Sequence, residues 1–573
     1  MEYGILSVVP PVVAIVLAIW TKKVIPSLAI GIWVGAIIFS QSLGIATATD
    51  WMIGTLADTW YLYLAGFMIL LGPGVALLYR AGGTLAISNW AAAKLKSERQ
   101  VGLLAWILGM AFFVSDYGNS AVVGTTMKDI AGKYRMSKEK LAYILDSTAA
   151  PVATFTISDW MAYQLGMVAI GLEAAGITDI ADPRFQAYLQ SIPFNLYCLL
   201  AVIMVGIIVI SRRDYGEMLT AEHRSWTTGK LIRDDGEPLQ QIEHYIKDPK
   251  ETRPMVITFI LPLVTLVAVT LIGVFLTGSA PGRNIIDIFG NAEWMKSLFW
   301  GAMGMIGMGA LLNRGFGIMD FDEIMDTFKN GLGVMLNAVT IIILAWTIGT
   351  TTSELGTAEY VVSLSEGIIG PVSLPIVVIL AAAFIAFSTG TSWGTMAIIT
   401  PIAIPLAWEI TGDLTVVYAM IGIVFSGSIF GDHCSPISDT TVLASTFTGS
   451  DHVDHVRTQI YYAVTVLLVA MLLLFIWGLT GISIFIMIPI GIILLIALVY
   501  ILSNFDAGRK GIPPRPSDDR REEILAEIRE KERMEEEMGE EEEFGELETE
   551  EEDEELFEES EGEEIEEEPF EEE

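Results

Sequence analysis

Long uncharged apolar runs recur through the first 503 residues of the chain. An α-helix needs about 20 apolar residues to cross a bilayer, and several runs approach or exceed that length. The pattern predicts an all-α, polytopic membrane protein whose transmembrane transporter domain covers residues 1–503. The clearest runs are Gly4–Trp20, Ile25–Ile45, Trp60–Leu78, Pro193–Ile210, Met255–Leu276 and Ile460–Leu479.

The basic residues predict how these spans are threaded. Lys and Arg collect on the cytoplasmic side of membrane proteins. If the N-terminus lies outside, only Arg184, Arg283 and Lys296 of the 33 basic residues fall outside the cell. We therefore expect a multi-pass protein of the cell membrane with a cytoplasmic C-terminus and a basic cytoplasmic loop over 212–253.

A short segment between two basic clusters predicts a re-entrant hairpin. Arg99 and Lys128 must both be internal, and about 28 residues separate them. A full excursion out and back needs roughly 40 helical residues, so the chain must turn inside the membrane. The tip is expected at Ser115–Ser120, because polar backbone at this depth is tolerated only where it is buried in protein or lines water.

The chain also matches itself weakly, in one order, over a first repeat at about 57–211 and a second at about 331–480. Each copy predicts a helix, a re-entrant hairpin and a broken transmembrane helix, and the threading gives the copies opposite directions. Inverted repeats of this kind place a substrate site near the bilayer midplane. Chance similarity of apolar segments is the alternative. The matches pair Arg80–Thr84 with Glu354–Thr357, Phe113–Thr125 with Phe387–Thr395, and Ser147–Thr156 with Asp432–Thr441, which aligns Pro151 with Pro436.

Acidic residues inside the spans are the first candidates for chemistry, because a carboxylate at the bilayer centre costs roughly 2.5–3.5 kcal/mol. The segment Gly431–Thr441 holds two acids and four hydroxyls around a proline, which frees backbone carbonyls. We predict a Na+ site at Asp439, Asp432, Ser438 and Thr389. Proton and cation exchange is assigned to Asp439, Asp432, Asp159 and Asp146. Capping of broken helix ends is the alternative for Asp432 and Asp439.

Further oxygen-bearing side chains at the breaks and hairpin tips are predicted to contribute to substrate binding, with ordinary turn chemistry as the alternative. His433 is a candidate pH sensor, because an unperturbed histidine titrates near neutrality; a histidine bonded to nearby backbone is the alternative. His452 and His455 are assigned to a polar loop after Phe447. The predicted binding residues are Ser438, Ser435, Thr440, Asn119, Asp116, Ser388, Thr389, Thr391, Ser147 and Thr148.

Three motifs resemble those of the NhaC-type Na+/H+ antiporters: Gly431–Ser445, Ser388–Thr395 and Lys140–Val152. This resemblance runs over about Gly4–Ser503. It implies membership of the ion-transporter superfamily, with paired hairpins and inverted repeats. It also implies exchange of Na+ or Li+ for H+ across the cytoplasmic membrane of a prokaryote.

Relatives of that family also exchange malate for lactate or move amino acids, so such carriers are the alternative function. No lone intramembrane Arg or Lys is evident for a substrate carboxylate, which favours a bare cation. No nucleophile or metal cluster predicts an enzyme. The expected partners are the lipid bilayer, Na+ and H+, and neither a cofactor nor a nucleic acid is expected. A homodimer is a candidate assembly.

The last part of the chain differs in composition. Residues 504–573 hold 34 acids and 8 bases and account for most of the net charge of −37. Such a segment cannot bury a core, so we predict a largely disordered, acidic cytoplasmic tail. A solubilising extension and a sensor of ionic strength are the two roles considered for it.

Overall fold

The structure is a computed structural model, and the described part of the chain is helical throughout. It describes residues 3–534 except 22, 84, 87–93, 114–115, 157, 178–182, 240–248, 251–254, 284, 358–359, 361–369, 371, 519 and 531–532, together with the side chains of 18, 19, 159, 162, 183, 184, 286, 287, 290, 337 and 338. Of the predicted hairpin tip at Ser115–Ser120, Ser115 lies outside the described residues, and 116–120 are not a turn but the start of the helix Asp116–Lys133. The tail from 535 also lies outside the described residues.

The helices follow the predicted apolar runs. Their bounds are Gly4–Val8, Val9–Thr21, Val24–Ser40, Ile45–Ala57, Thr59–Arg80, Glu98–Ala111, Asp116–Lys133, Lys138–Asp146, Ala150–Ala153, Asp159–Ala174, Pro183–Ser191, Ile192–Phe194, Leu196–Ser211, Glu217–Thr228, Ile257–Gly278, Ile285–Gly290, Trp294–Gly315, Phe321–Glu354, Leu374–Thr389, Ser392–Thr411, Leu414–Cys434, Asp439–Thr448, His452–Thr480 and Ile484–Lys510.

Length and hydropathy identify the membrane-spanning helices. In the described part of the chain, eight helices are long and apolar enough to cross a membrane, or up to ten if each of two bent helix pairs counts as one span. The helix Ile484–Lys510 exposes large apolar side chains, such as Ile493 at 66% and Ile501 at 62%. Lipid is the solvent that favours such a surface. The prediction of a multi-pass, all-helical membrane protein is confirmed.

The apolar runs did not predict the helix Ile45–Ala57. Val24–Ser40 and Ile45–Ala57 form a pair bent by 115°. Two residues at the bend have positive φ, Gln41 at 50° and Gly44 at 69°. The Thr and Asp residues of Ile45–Ala57 interrupt its apolar pattern.

A large apolar core packs around the long helix Phe321–Glu354. Helix Thr59–Arg80 crosses it so closely that a Cβ on Gly72 would lie 2.2 Å from the Gly331 carbonyl oxygen. The same core reaches Tyr117 and Ile437, which belong to the elements that carry the candidate site. The site is therefore supported by a rigid group of helices.

The first hairpin consists of Glu98–Ala111 and Asp116–Lys133, and the first broken helix follows it as Lys138–Asp146, Ala150–Ala153 and Asp159–Ala174. The broken helix that the alignment of Pro151 with Pro436 predicts is present, with its interruption at 147–149. Asn119 joins the two arms of the hairpin, because its Nδ2 donates to the carbonyl oxygen of Gly109 at 2.6 Å.

The second hairpin consists of Leu374–Thr389 and Ser392–Thr411, and the second broken helix of Leu414–Cys434 and Asp439–Thr448. Gly390 turns the hairpin tip with φ +68°, and a Cβ there would lie 2.5 Å from the Ile437 carbonyl oxygen. The tip therefore packs directly on the break at 435–438. Both halves follow the order helix, hairpin, broken helix; the opposite direction of the two halves in a membrane stays a prediction.

The basic loop contains ordered structure of its own. Helix Glu217–Thr228 docks on the first broken helix through a buried ion cluster. Lys140 Nζ lies 2.8 Å from Asp214 Oδ2 and 3.3 Å from Glu222 Oε2. Tyr462 also donates to Asp214 Oδ1 at 2.7 Å. Ions buried in this way need such partners, because an unpaired charge is strongly destabilising.

Two compact units are distinguished, Met1–Asp519 and Arg520–Glu573. The structure describes 520–530 and 533–534 of the second unit, and 521–530 are helical. The glutamate-rich run from 535 onward lies outside the described residues, so its predicted disorder stays a prediction.

Candidate functional site

Asp439 begins the second half of the second broken helix and is 6% exposed. Two distant side chains donate to its Oδ2: the Tyr117 hydroxyl at 2.9 Å and the Trp346 Nε1–H at 3.3 Å. The Thr440 backbone N–H donates to Oδ1 at 2.9 Å. One carboxylate therefore joins the first hairpin, the long helix Phe321–Glu354 and the second break.

Asp432 lies in the last turn before the same break and is 1% exposed. Ser392, at the start of the second arm of the second hairpin, donates to its Oδ2 at 2.6 Å. Its Oδ1 is buried and accepts no hydrogen bond from the described part of the chain. Asp432 also lies within electrostatic range of Asp439 and Asp146.

Asp146 ends the first segment of the first broken helix and is fully buried. Thr441 Oγ1 donates to its Oδ2 at 2.9 Å, and Gln459 Nε2 donates to the same oxygen at 2.6 Å. Asp146 Oδ1 is buried and accepts no hydrogen bond within the described residues. The two broken helices therefore meet at this carboxylate.

The hydrogen-bond donors around these three acids are neutral. Within the described residues, every ion pair of a Lys or Arg is made with some other acid. In this part of the chain, a histidine is the one basic side chain in contact with these three carboxylates: His455 Nε2 lies 3.9 Å from Asp146 Oδ2. Carboxylates removed from water favour their neutral form or a bound cation. A proton or a metal cation would supply the missing positive charge.

A cavity of about 520 Å³ opens beside Asp439. Five aromatic side chains line it: Trp60, Tyr61, Tyr163, Trp346 and Trp393. Successive rings from Tyr163 through Trp393, Trp60 and Tyr61 to Trp346 have centroids 4.4–5.5 Å apart. Two further acids, Asp58 and Glu354, also line the cavity.

Several predicted binding residues cap helices at the break and at the hairpin tip. Ser438 accepts from Thr441 N at 3.3 Å and contacts the Thr440 hydroxyl at 3.0 Å. Thr391 accepts from Gly394 N and lines the cavity. Thr389 also lines the cavity, with its hydroxyl bonded to Ile385 O within its own helix.

Other predicted residues fix elements to one another. The Ser435 hydroxyl donates to Phe387 O at 2.8 Å, which ties the second break to the hairpin. Asn119 reaches Thr148 O at 3.4 Å. Asp116 accepts from Tyr117 N at 2.9 Å in the first turn of its helix. Ser147, Thr148 and Ser388 are buried at helix ends.

Asp159 begins the helix Asp159–Ala174, and its side chain lies outside the described residues. His433 is 1% exposed. Its Nε2 lies 3.0 Å from the Asp146 carbonyl oxygen and its Nδ1 lies 3.0 Å from the Tyr197 hydroxyl. This geometry is that of a histidine bonded to backbone at a helix break.

The assignment of His452 and His455 to a polar loop is wrong. Both lie in the first turn of helix His452–Thr480, and they are 2% and 0% exposed. They point inward with Gln459, at spacings i, i+3 and i+7 along one helix face. That spacing was the available signal for these two residues and Gln459. Tyr117 and Trp346 carried no local signal, because their contact with Asp439 joins distant parts of the chain.

Comparison with known proteins places these features in a family. Residues 152–479 match the Na+/H+ antiporter family, which is more than half of the chain. An uncharacterized protein of Haemophilus influenzae is 32% identical over 475 residues, which are 80% of this chain and 88% of that protein.

Two further relatives match over shorter stretches. A malate-2H(+)/Na(+)-lactate antiporter of Bacillus subtilis is 28% identical over 28% of this chain and 33% of its own length. An uncharacterized Na(+)/H(+) antiporter of Haemophilus influenzae is 28% identical over 24% of this chain and 29% of its own length. Within the described residues, no group of three or more His, Cys, Asp or Glu side chains is arranged to hold a metal ion. With its apolar helices, buried acids and extensive family match, this chain is a multi-pass membrane transporter that belongs to the Na+/H+ antiporter family.

Proposed function

We propose that this protein exchanges Na+, with Li+ as a second candidate, for H+ across the cell membrane by alternating access. One observation carries the proposal. Asp432 and Asp439 flank a buried helix break, only neutral groups of the described chain donate to their carboxylates, and Asp439 opens to a cavity. Such acids need a positive charge, which either Na+ or a proton supplies.

The proposed cation ligands are Asp439, Asp432, Ser438 and Thr389. Na+ is a small hard cation, and oxygen ligands from carboxylates, hydroxyls and opened backbone suit such ions. Broken helices supply these oxygens at the centre of transporters. Ser392, already bonded to Asp432 at 2.6 Å, is an added hydroxyl at the same place.

Competition for one set of oxygens would make the exchange obligatory. When Na+ leaves, burial favours protonation of the freed carboxylates. In this proposal, the repeats at 57–211 and 331–480 alternate between two arrangements that expose the carboxylates to opposite sides. The N-terminus would lie outside and the C-terminus in the cytoplasm, as the basic residues predict.

Purified protein in proteoliposomes with an internal pH dye tests this proposal. A Na+ gradient should drive proton movement in the wild type, and Asp439→Asn and Asp432→Asn should each abolish it. Asp413→Asn is the matched control, because this exposed acid caps the same helix and Asn keeps a capping oxygen. Full exchange in both buried variants would remove the proposed site.

The cavity supports a second candidate, exchange or Na+-coupled transport of an organic solute. Its volume of about 520 Å³ far exceeds a bare ion, and none of the described residues that line it is Lys or Arg. Aromatic faces attract organic cations, and the acids Asp58, Glu354 and Asp439 add to this attraction. The lining therefore favours an amine-bearing solute, such as a basic amino acid, over malate or lactate.

Uptake of labelled solutes separates the two candidates. Under a Na+ or pH gradient, arginine or tetramethylammonium should accumulate, and lactate should not, if the cavity carries organic cations. Trp393→Leu should then weaken uptake while Trp20→Leu, an exposed tryptophan outside the cavity, leaves it unchanged. Proton exchange with Na+ and no accumulation of any labelled solute would support the first candidate alone.

A further inference from the structure

Two buried histidines next to Asp146 form a cluster that the proposed cation site does not use. His452 and His455 face one hydroxyl, that of Ser445. The Ser445 Oγ lies 3.1 Å from His452 Nδ1 and 2.9 Å from His455 Nδ1. It also lies 2.7 Å from the Thr441 carbonyl oxygen. The neighbouring acceptors determine which ring nitrogen of each histidine carries a hydrogen.

Gln459 fixes the protonation of His455. The Gln459 Nε2 lies 2.6 Å from Asp146 Oδ2 and 2.8 Å from the His433 carbonyl oxygen. Both neighbours accept, so the amide nitrogen must face them and Oε1 must face His455. His455 Nε2 lies 3.0 Å from this oxygen. That ring nitrogen therefore carries a hydrogen.

A backbone carbonyl fixes His452 in the same way. Its Nε2 lies 2.8 Å from the Pro436 carbonyl oxygen, which can only accept. When both imidazoles are neutral, each Nδ1 is therefore an acceptor. One serine hydrogen then faces three acceptors: the two Nδ1 atoms and the Thr441 carbonyl.

One added proton would resolve part of this deficit. Bound to either Nδ1, it donates to Ser445 Oγ, and the serine hydrogen is then free to point to the other Nδ1. No other bond of the cluster has to change. The shared hydroxyl would relay the proton between the rings, because it can donate and accept at once.

We propose that His452, Ser445 and His455 form a binding site for one proton of the exchange cycle, with Asp146 as its counter-charge. The proposal rests on the proposed Na+/H+ exchange. His455 Nε2 lies 3.9 Å from Asp146 Oδ2, and Gln459 bridges the two groups. An imidazolium and a carboxylate buried at this distance stabilise one another.

Charged and titratable groups face the pair from three helices. Asp146 faces the pair from the first broken helix, and Asp451 caps the histidines' own helix. His433 faces it from the second broken helix, and its ring is held by Tyr197 and the Asp146 carbonyl. The two acids attract a proton bound by the pair, whereas a protonated His433 would repel it.

Thr441 connects the proton site to the proposed cation site. Its hydroxyl donates to Asp146 Oδ2 at 2.9 Å and lies 3.4 Å from the Asp432 carbonyl oxygen. Its carbonyl is one of the acceptors around Ser445. If cation binding moves the second break, Thr441 would therefore shift the hydrogen bonds of the histidine cluster.

The first test measures protons released when Na+ is added to the full-length protein in weakly buffered detergent. His452→Gln with His455→Gln should release one proton fewer than the wild type for each Na+ that binds. His223→Gln is the matched control, because this histidine lies on the loop helix Glu217–Thr228. Equal proton release from the double variant and the wild type would overturn the proposal.

The second test does not depend on transport. Nitrogen-15 NMR of labelled histidine should show two Nε2–H tautomers at alkaline pH, and a single further protonation shared by the pair on acidification. Ser445→Ala keeps both rings and should split this event into two independent ones. Independent titrations in the wild type would contradict the shared site. Absence of Na+ binding with a shared titration would instead count against the exchange function alone.

Discussion

At the scale of the residue, the candidate site depends on hydrogen bonds between groups far apart in the sequence. Tyr117 and Asp439 are 322 positions apart, and Gln459 and Asp146 are 313 apart. Each neutral donor stabilises an ionised carboxylate without neutralising it. The acids are thus held in fixed geometry and still lack the positive charge that a transported ion would bring.

Tyr117→Phe tests the contribution of one such donor. A hydrogen bond to a charged group contributes about 1.5–3 kcal/mol, so the variant should need roughly tenfold more Na+ or more for half-maximal exchange. Tyr63→Phe is the control, because the Tyr63 ring contacts Phe299 edge-on and does not line the cavity beside Asp439. Equal Na+ dependence in wild type and Tyr117→Phe would show that Asp439 is not engaged by the cation.

The sequence contains local signals for the helix breaks, but none for the distant side chains that donate hydrogen bonds to the carboxylates there. Pro151 and Pro436, which the weak internal repeat aligns, predicted a break in each helix, and intramembrane Asp146, Asp432 and Asp439 followed from their rarity. Tyr117 and Trp346 could not be found in this way, because either would be equally at home on an ordinary helix face. Only packing across the fold turns them toward carboxylates.

At the scale of the element, the second hairpin approaches the second break closely. Gly390 needs both its positive φ and its missing Cβ, because any side chain would press on the Ile437 carbonyl. Hairpin tip and break therefore have to move together or repack together.

Gly390→Ala should destabilise the protein and abolish exchange. Positive φ in alanine costs roughly 1–2 kcal/mol, and the steric contact adds about 1–3 kcal/mol. Gly412→Ala separates the two effects, because Gly412 has φ +63° with no atom within 4 Å of an added Cβ. Thermal unfolding in detergent and the pH-dye assay measure both. Equal behaviour of the two variants would contradict a steric role for the tip.

The ion cluster of Lys140, Asp214 and Glu222 joins the loop helix to the first broken helix. Burial raises the pKa of Glu222, and the neighbouring Lys140 opposes that rise. Removing the lysine leaves two buried acids without their cation, a change that typically costs about 3–5 kcal/mol.

Lys140→Met should therefore lower the unfolding temperature at neutral pH and regain part of it on acidification. The sign follows from linkage: a glutamate whose pKa is higher in the folded than in the unfolded state binds more protons when folded, so its folded form gains stability as pH falls. Lys296→Met, at a lysine with a mostly exposed partner, should show no such recovery. An unfolding temperature that falls in parallel with the wild type on acidification would contradict this role.

At the scale of the whole molecule, charge is divided unevenly along the chain. Residues 535–573 hold 26 acids and no base. Charges in water are screened within about 10 Å at 0.1 M salt, so a tail that is disordered, as the sequence predicts, should leave a buried site unaffected. The family match ends at residue 479, well before this segment.

Deletion of 535–573 should accordingly leave the rate and Na+ dependence of exchange unchanged at physiological salt. Proteoliposome assays at low and high ionic strength compare the full-length and shortened chains, with equal protein in each. A salt dependence that disappears with the tail would instead assign it a regulatory role.

Trp346 has a consequence for how the protein can be studied. Indole emission responds to charge and hydrogen bonding at the ring nitrogen, and this ring's N–H points at Asp439. Arrival of a cation at that carboxylate should change the fluorescence of one tryptophan among 14. The difference between the fluorescence spectra of the wild type and Trp346→Phe would then report how far the cation site at Asp439 is filled, without any added label.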